Sequence, residues 1–492
     1  MSTVVVLLVI AALLVAAKWR EKRMSPAKPP ADYLDTPLMY WSPHDPFTIR
    51  DLLRSISIMG ATGSGKTSGI GYQLGKALAA CPRIGGIIIA SKPEDRAVWQ
   101  GILGDRLIVV GPGEKHRFNV IDFEAKHGAD AREITQCIMT ISEALTRSEG
   151  QTGDRFFEKQ DRRTIHNACE VLIQAYGRVD AWDVQRFIND APLSIEELGQ
   201  EKWREGFHNK TMEKAGNKAK SQIEAHDFEL AWQFWGSEWP ALNDRTRSSI
   251  LAGAMGQLHV FNTGIVRELI GTGTTISPEV FECGAWILVD MPIANYGVAG
   301  AFVAGAWKYA TQRHVLRRAA TAETPVTCIW IDEFQNYITS HDAKVLAECR
   351  SHLACMVVLT QSIHSFYSSI GGREAQSHTK ALLTNFGTKV AMTLGNEESA
   401  KYFSSLIGRA IIRLGGSSSS GGGQVFEEFM GKYNLGTSLN EHIEDLILPR
   451  LFMNGLRTGG PENGYIAEGW VIRNGTAFSN GENAMLVGFS QR

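Results

Sequence analysis

Gly60-Ala61-Thr62-Gly63-Ser64-Gly65-Lys66-Thr67 fills every fixed position of the pattern G-x-x-x-x-G-K-[ST]. The apolar run Ile56-Ser57-Ile58-Met59 precedes it, and a stretch of helical character from Ser68 to Ala80 follows. Strand, glycine loop and helix in that order predict a phosphate-binding loop rather than a glycine-rich turn. The glycines let backbone N–H groups between Gly60 and Ser68 curl around phosphate oxygens. The positive N-terminal end of the helix faces the same anion. Lys66 can reach the β- and γ-phosphates, and the Thr67 hydroxyl can ligate Mg2+. The loop therefore predicts a nucleoside triphosphate site and leaves open what the energy is used for.

Such a loop needs a carboxylate for the metal and a base for water. Val326-Thr327-Cys328-Ile329-Trp330-Ile331-Asp332-Glu333 supplies both, because a strand ending in Asp-Glu sets two acids at the sheet edge where ligands bind. Asp332 is expected to hold Mg2+, mostly through water. Glu333 is expected to polarise the attacking water. A buried strand ending in solvated acids is the bland alternative, and the intact loop upstream weighs against it. Glu333 and the lack of an Asn-Lys-x-Asp motif favour ATP over a switch-type GTP site. The next apolar run, Cys355–Thr360, ends in Gln361, which is either a reporter of the γ-phosphate or a polar strand cap. Arg350 is either a surface residue or an arginine finger reaching a neighbouring subunit, a role that speeds hydrolysis by roughly 10³–10⁵. Arg54 is a weaker candidate for the nucleotide pocket. Lys92 and Arg96 are weak candidates for lining a pore.

The chain has 492 residues, enough for two or three domains. Apolar residues at 44% and charged residues at 21% suit a folded body. A net charge of −2 means that a nucleic-acid partner must be held by a local patch or channel. Seven scattered cysteines with no C-x-x-C pair argue against a zinc site or a disulfide framework. Thr3 to Ala17 carries no charge, and Lys18, Arg20, Lys22, Arg23 and Lys28 follow it. As a helix this run spans about 22 Å, short of the roughly 30 Å hydrocarbon core, and Trp19 and a snorkelling Lys18 extend it. The basic residues follow the apolar run, so a single anchor with the remainder in the cytoplasm is favoured. A signal peptide and a helix packed in an oligomer are the alternatives.

The expected organisation is a membrane anchor at 1–24 and a proline-rich linker at 25–47. A nucleotide-binding domain at 48–121 and 266–492 is interrupted by an all-α insertion at 122–265. Candidate strands are Ser55–Met59, Gly86–Ala90, Arg106–Val110, Ala285–Asp290, Thr327–Asp332, Cys355–Thr360 and Lys389–Leu394. Short β-branched runs of this kind predict an α/β fold, a doubly wound, mainly parallel sheet covered on both faces. Only helical patterns occur between Val110 and Ala285. Gly415 to Gly423 reads as a flexible loop, and Tyr465 to Gln491 as short antiparallel strands.

Several separated segments, in order, resemble the type IV secretion system coupling proteins, the TraG/TraD-like membrane ATPases of conjugation. They are the N-terminal apolar segment, GATGSGKT at 60–67, IIIASKPED at 87–95 and LNDRTRSSI at 242–250. ILVDMP at 287–292, WIDEF at 330–334 and ECRSHLACMVVLTQS at 348–362 follow. The resemblance implies a RecA-like P-loop motor core, an inserted all-α domain and an N-terminal transmembrane helix. It also implies a hexameric ring on the bacterial inner membrane, with ATP hydrolysed at subunit interfaces. Arg350 falls where the family places its trans-acting arginine, and Gln361 on the family's glutamine. Many members carry two membrane helices, whereas this chain shows at most one.

The resemblance implies an ATPase that drives single- or double-stranded DNA, with an attached relaxase or an effector protein, to type IV secretion channel proteins. An ATP-switched receptor for protein effectors and an FtsK/HerA-type DNA pump are the alternatives.

Overall fold

A computed structural model describes residues 32–148, 155–372, 374–420 and 434–492. The expected anchor, with its apolar run at 3–17, lies outside the described residues. Among the described residues, no helix is long and apolar enough to cross a membrane.

The chain begins with an antiparallel pair, β1 (Pro37–Ser42) and β2 (Asp45–Thr48). The main sheet is built from β3 (Ile56–Met59), β4 (Ile84–Ile89), β5 (Leu107–Val110), β6 (Trp286–Val289), β7 (Val326–Ile331), β8 (Ala354–Thr360) and β9 (Thr388–Ala391). A second ribbon, β10 (Arg409–Ser420) with β11 (Asn434–Asp445), stands apart from it. β12 (Ile466–Arg473) and β13 (Ala484–Ser490) complete the main sheet. The spatial order is β13-β12-β9-β3-β8-β7-β4-β6-β5. The run from β9 to β5 is parallel, and β12 and β13 add an antiparallel border.

Alternation along the strands divides the core. Ile87, Ile89, Val289, Ile329, Ile331, Met356 and Val358 face one side; Ile88, Leu288, Cys328, Trp330, Val357 and Leu359 face the other. Each such buried aliphatic side chain contributes about 1.5–3 kcal/mol relative to exposure. The helices Tyr72–Ala79 and Asp95–Leu103 cover the second side through Leu74, Leu78, Trp99 and Leu103. β4 runs so close to β7 that a Cβ on Gly86 would lie 1.9 Å from the Cys328 carbonyl oxygen.

Between β5 and β6 every described element is helical, including Ala131–Ser148, Arg155–Tyr176, Ala181–Asn189, Gln222–Gln233 and Asp244–Phe261. Asn243 caps the last of these by accepting a hydrogen bond from the Thr246 N–H, 2.9 Å away. This helical body joins the first side of the sheet, with Phe261 edge-on to Phe302 at a centroid distance of 4.6 Å.

Two expectations change. The segment expected to be an extended linker contains the β1–β2 pair, because Trp41 and Phe47 bury against Phe489 and the second core. Pro37 and Pro46 are tolerated there because the pair is an isolated two-strand ribbon with open edges. The serine-glycine run expected to be a loop enters β10 as far as Ser420, where Gly415–Ser420 align with Leu439–Asn434. Backbone pairing needs no side-chain information, so composition concealed this strand.

The long helix Ile293–Arg317 changes direction at Gly297, whose φ of 52° suits glycine. Further along it, Lys308 and Asp342 form a fully buried ion pair at 2.7 Å. Asp342 also accepts hydrogen bonds from Gln312 Nε2 and the Thr339 N–H, both at 2.6 Å. Lys308 also donates to the Tyr337 carbonyl oxygen at 2.5 Å. The pair thereby ties the segment after β7 to the long helix. Asp342→Ala leaves a buried cation and is expected to cost about 3–5 kcal/mol in urea unfolding, whereas Lys308→Met with Asp342→Leu restores most of the loss.

Candidate functional site

The loop after β3 starts between two strand ends. Gly60 N–H donates to the Thr360 carbonyl oxygen at 3.1 Å, and Ala61 N–H to that of Thr393 at 2.8 Å. A Cβ on Gly60 would lie 2.4 Å from Ser64 Oγ. Gly63 and Gly65 hold φ values of 78° and 81°, which turn the chain back on itself. A Cβ on Gly65 would lie 2.5 Å from the Ala467 Cβ in β12. The π-helical segment Lys66–Gly71 then runs directly into the helix Tyr72–Ala79. Among the described residues, the buried Ser64 hydroxyl has no protein partner.

The acids meet this loop. Asp332, 4% exposed, accepts hydrogen bonds at Oδ2 from Thr67 Oγ1 (3.3 Å) and Ser91 Oγ (3.2 Å). Glu333 adopts φ 50°, a strained conformation for a residue with a Cβ and one that concentrates at functional sites. This turn brings Glu333 Oε1 to 3.4 Å from Lys66 Nζ. Its Oε2 accepts from Gln335 Nε2 at 2.6 Å and Gln361 Nε2 at 3.1 Å. Burial first, then the nearby charges of Glu333 and Asp95, push the Asp332 carboxyl above its usual range. Burial likewise raises Asp95, despite hydrogen bonds from the Ser91 and Lys92 N–H groups.

The loop, both acids and Gln361 line one cavity of about 780 Å³. Its residues fit a nucleoside triphosphate with Mg2+. The buried Ser64 hydroxyl is unsatisfied, the backbone at Gly60 and Gly65 leaves no space for a side chain, and Thr67 and Asp332 offer hard oxygen donors. Among the described residues, no group of three or more His, Cys, Asp or Glu is arranged to hold a metal. Mg2+ commonly uses one or two protein oxygens beside phosphates and water.

The structure thus brings together Gly60, Ala61, Thr62, Gly63, Ser64, Gly65, Lys66, Thr67, Ser68, Asp332, Glu333 and Gln361. Arg350 is exposed on the short turn Cys349–His352 that precedes β8, at the opposite sheet edge from the loop. It does not reach the cavity of its own chain. Arg54 also lies at that opposite edge, where it donates to the Asn474 carbonyl oxygen at 2.5 Å, so it leaves the list of pocket candidates. Lys92 lines the same cavity. Arg96 is held by Glu114 at 2.8 Å and Asp290 at 3.3 Å. Sequence reasoning missed Ser91 and Asp95. Their signal was a polar turn directly after a buried strand, legible only once β4 is known to lie beside β7.

Asp332 gives a pH prediction. Its folded pKa is raised, so ionisation costs stability, and that cost appears as pH rises from the ordinary value of 3.8 through the raised one. In nucleotide-free protein, Asp332→Asn should unfold at higher urea than the parent at pH 7. The advantage should shrink as the pH falls toward about 4.

The family described as "TraM recognition site of TraD and TraG" matches residues 325–453. No curated protein sequence matches the chain. Among solved structures, the bacterial conjugative coupling protein TrwBdeltaN70, in a trigonal form with sulphate, is similar at a TM-score of 0.59 and 13% identity, over 97% of this chain and 94% of that one. Plasmid coupling protein TrwB with the non-hydrolysable GTP analogue GDPNP gives 0.58 and 13%, over 97% and 94%. TrwB with ADP and Mg2+ gives 0.55 and 12%, over 97% and 92%. At these identities the likeness is one of fold, a mixed α/β architecture on a large, mainly parallel sheet. The matched segment lies within this shared fold, from the start of β7 to just past Phe452.

Proposed function

We propose that the chain is an ATP-hydrolysing coupling protein that recruits DNA, with attached protein, and drives it to a type IV secretion channel. The observation that carries this reading is the meeting of Lys66, Glu333 and Gln361 beside the Thr67–Asp332 contact. Bound ATP with Mg2+ would supply the phosphoanhydride bond as the energy source. Lys66 holds anionic oxygens, Thr67 and Asp332 hold the metal, and Glu333 takes a proton from water. Gln361, bonded to Glu333 at the head of the helix Ile363–Ile370, passes a change at Glu333 into that helix. Arg350 serves the site of a neighbouring subunit, which makes a ring, taken as a hexamer, the working form.

The helical stretch 122–265 acts as a substrate-reading domain inserted in the nucleotide-binding domain at 48–121 and 266–492. Residues 3–17 anchor the chain in the bacterial inner membrane, with the bulk in the cytoplasm. The match at 325–453 favours a TraM-type partner in addition to a relaxase.

ATP turnover measured with and without DNA tests the motor. Lys66→Ala and Glu333→Gln should each lower DNA-stimulated turnover by at least about 10²-fold. Turnover insensitive to DNA, together with substrate transfer supported by Glu333→Gln, would leave only the switched receptor. Arg350→Ala should lose at least about 10³-fold as a homo-oligomer. Mixing it with Lys66→Ala subunits should restore part of the activity; activity untouched by Arg350→Ala removes that residue from the site.

A further inference from the structure

Three successive loop side chains point to three different places. Lys66 Nζ meets Glu333 at 3.4 Å, and Thr67 Oγ1 meets Asp332 at 3.3 Å. Ser68 Oγ instead accepts a hydrogen bond from Gln491 Nε2 at 2.7 Å. In a phosphate loop the lysine and the metal-ligating hydroxyl serve the β- and γ-phosphates, while the loop amides cradle the α- and β-phosphates. Gln491 therefore stands on the side of the site away from the acids, where the α-phosphate and sugar of a nucleotide lie.

Gln491 is fixed in place. Its Oε1 accepts from the Gly460 N–H at 2.8 Å, and its own N–H donates to the Tyr465 carbonyl oxygen at 2.9 Å. Any Cβ on Gly459 would fall 2.2 Å from Gln491 Oε1, so the turn approaches the amide as closely as backbone can. Tyr465 has φ 60°, an unfavourable backbone conformation for a tyrosine that is held by its N–H bond to the Gly460 carbonyl oxygen at 2.7 Å. The Arg492 guanidinium lies over that tyrosine ring, 3.9 Å from its centroid. Both Gln491 and Arg492 line the nucleotide cavity. The ring leaves the guanidinium N–H groups at its rim available to anionic or hydroxyl oxygens.

We propose that Gln491 and Arg492 are nucleotide-binding residues that grip the α-phosphate and sugar, with Tyr465 as the platform for Arg492. This rests on the nucleotide reading of the cavity given above. The grip contacts parts shared by ATP, ADP and AMP, so it sets affinity for the nucleoside end and does not distinguish the presence of a γ-phosphate.

Titration of the full chain with ATP, ADP and AMP by calorimetry tests this. Arg492→Ala should weaken all three by a similar factor, roughly tenfold, the scale of one charge-assisted hydrogen bond. Arg492→Lys should recover part of the loss, and Gln491→Ala should show a smaller uniform loss. Arg492 is exposed, so its thermal unfolding midpoint should match the parent. Unchanged affinities in Arg492→Ala, or a loss confined to ATP, would overturn the assignment. A parent chain that binds none of the three nucleotides would overturn the nucleotide reading itself.

Discussion

The parallel register of three central strands is the constraint on which the site depends. Met59 of β3 lies opposite Thr360 of β8, and Val358 of β8 opposite Ile331 of β7. The loop, the acidic pair and Gln361 therefore leave the sheet at one edge and within reach of each other. A slip of one residue would turn Asp332 and Gln361 toward opposite faces and exchange the two cores. The alternation of Ile329 and Ile331 against Cys328 and Trp330 ties that register to the burial of both faces.

The same edge concentrates unlike demands. Asp332 is buried beside the charges of Glu333 and Asp95, an arrangement that burial and like charge both disfavour. Lys66 opposes this from the loop, and the Glu333 backbone departs from its easy conformations to meet it. Rigidity comes from behind. The Lys308–Asp342 pair binds the segment after Glu333 to a helix packed on the sheet face opposite the one covered by the helix Tyr72–Ala79. Charge is thus held in an arrangement that isolated acids would not adopt.

The strands of the main sheet were legible because each is a short continuous apolar run, and burial on both faces leaves no other use for such a run. The loop and the acids were legible because their chemistry demands fixed residue types at fixed spacing. Other features depend on contacts between distant parts of the chain. Ser91 reaches Asp332 only because β4 lies beside β7, and a strand order is not written in any single segment. Arg54 looked close to the loop in sequence, yet β3 separates them along its length. Gln491 carries no local pattern, and it meets the loop from the end of the antiparallel border of the sheet.

Arg350 and the phosphate loop occupy opposite edges of the same sheet. Under the role proposed for Arg350, each subunit has a donor end and an acceptor end. A two-fold dimer joins like surfaces, so it cannot supply every acceptor with a donor through one contact. Head-to-tail addition can, and it satisfies all sites only when the rotation per subunit closes the circle. An interrupted circle always contains one pocket deprived of its arginine, so opening the assembly at any one seam silences the nucleotide at that seam and leaves the others complete.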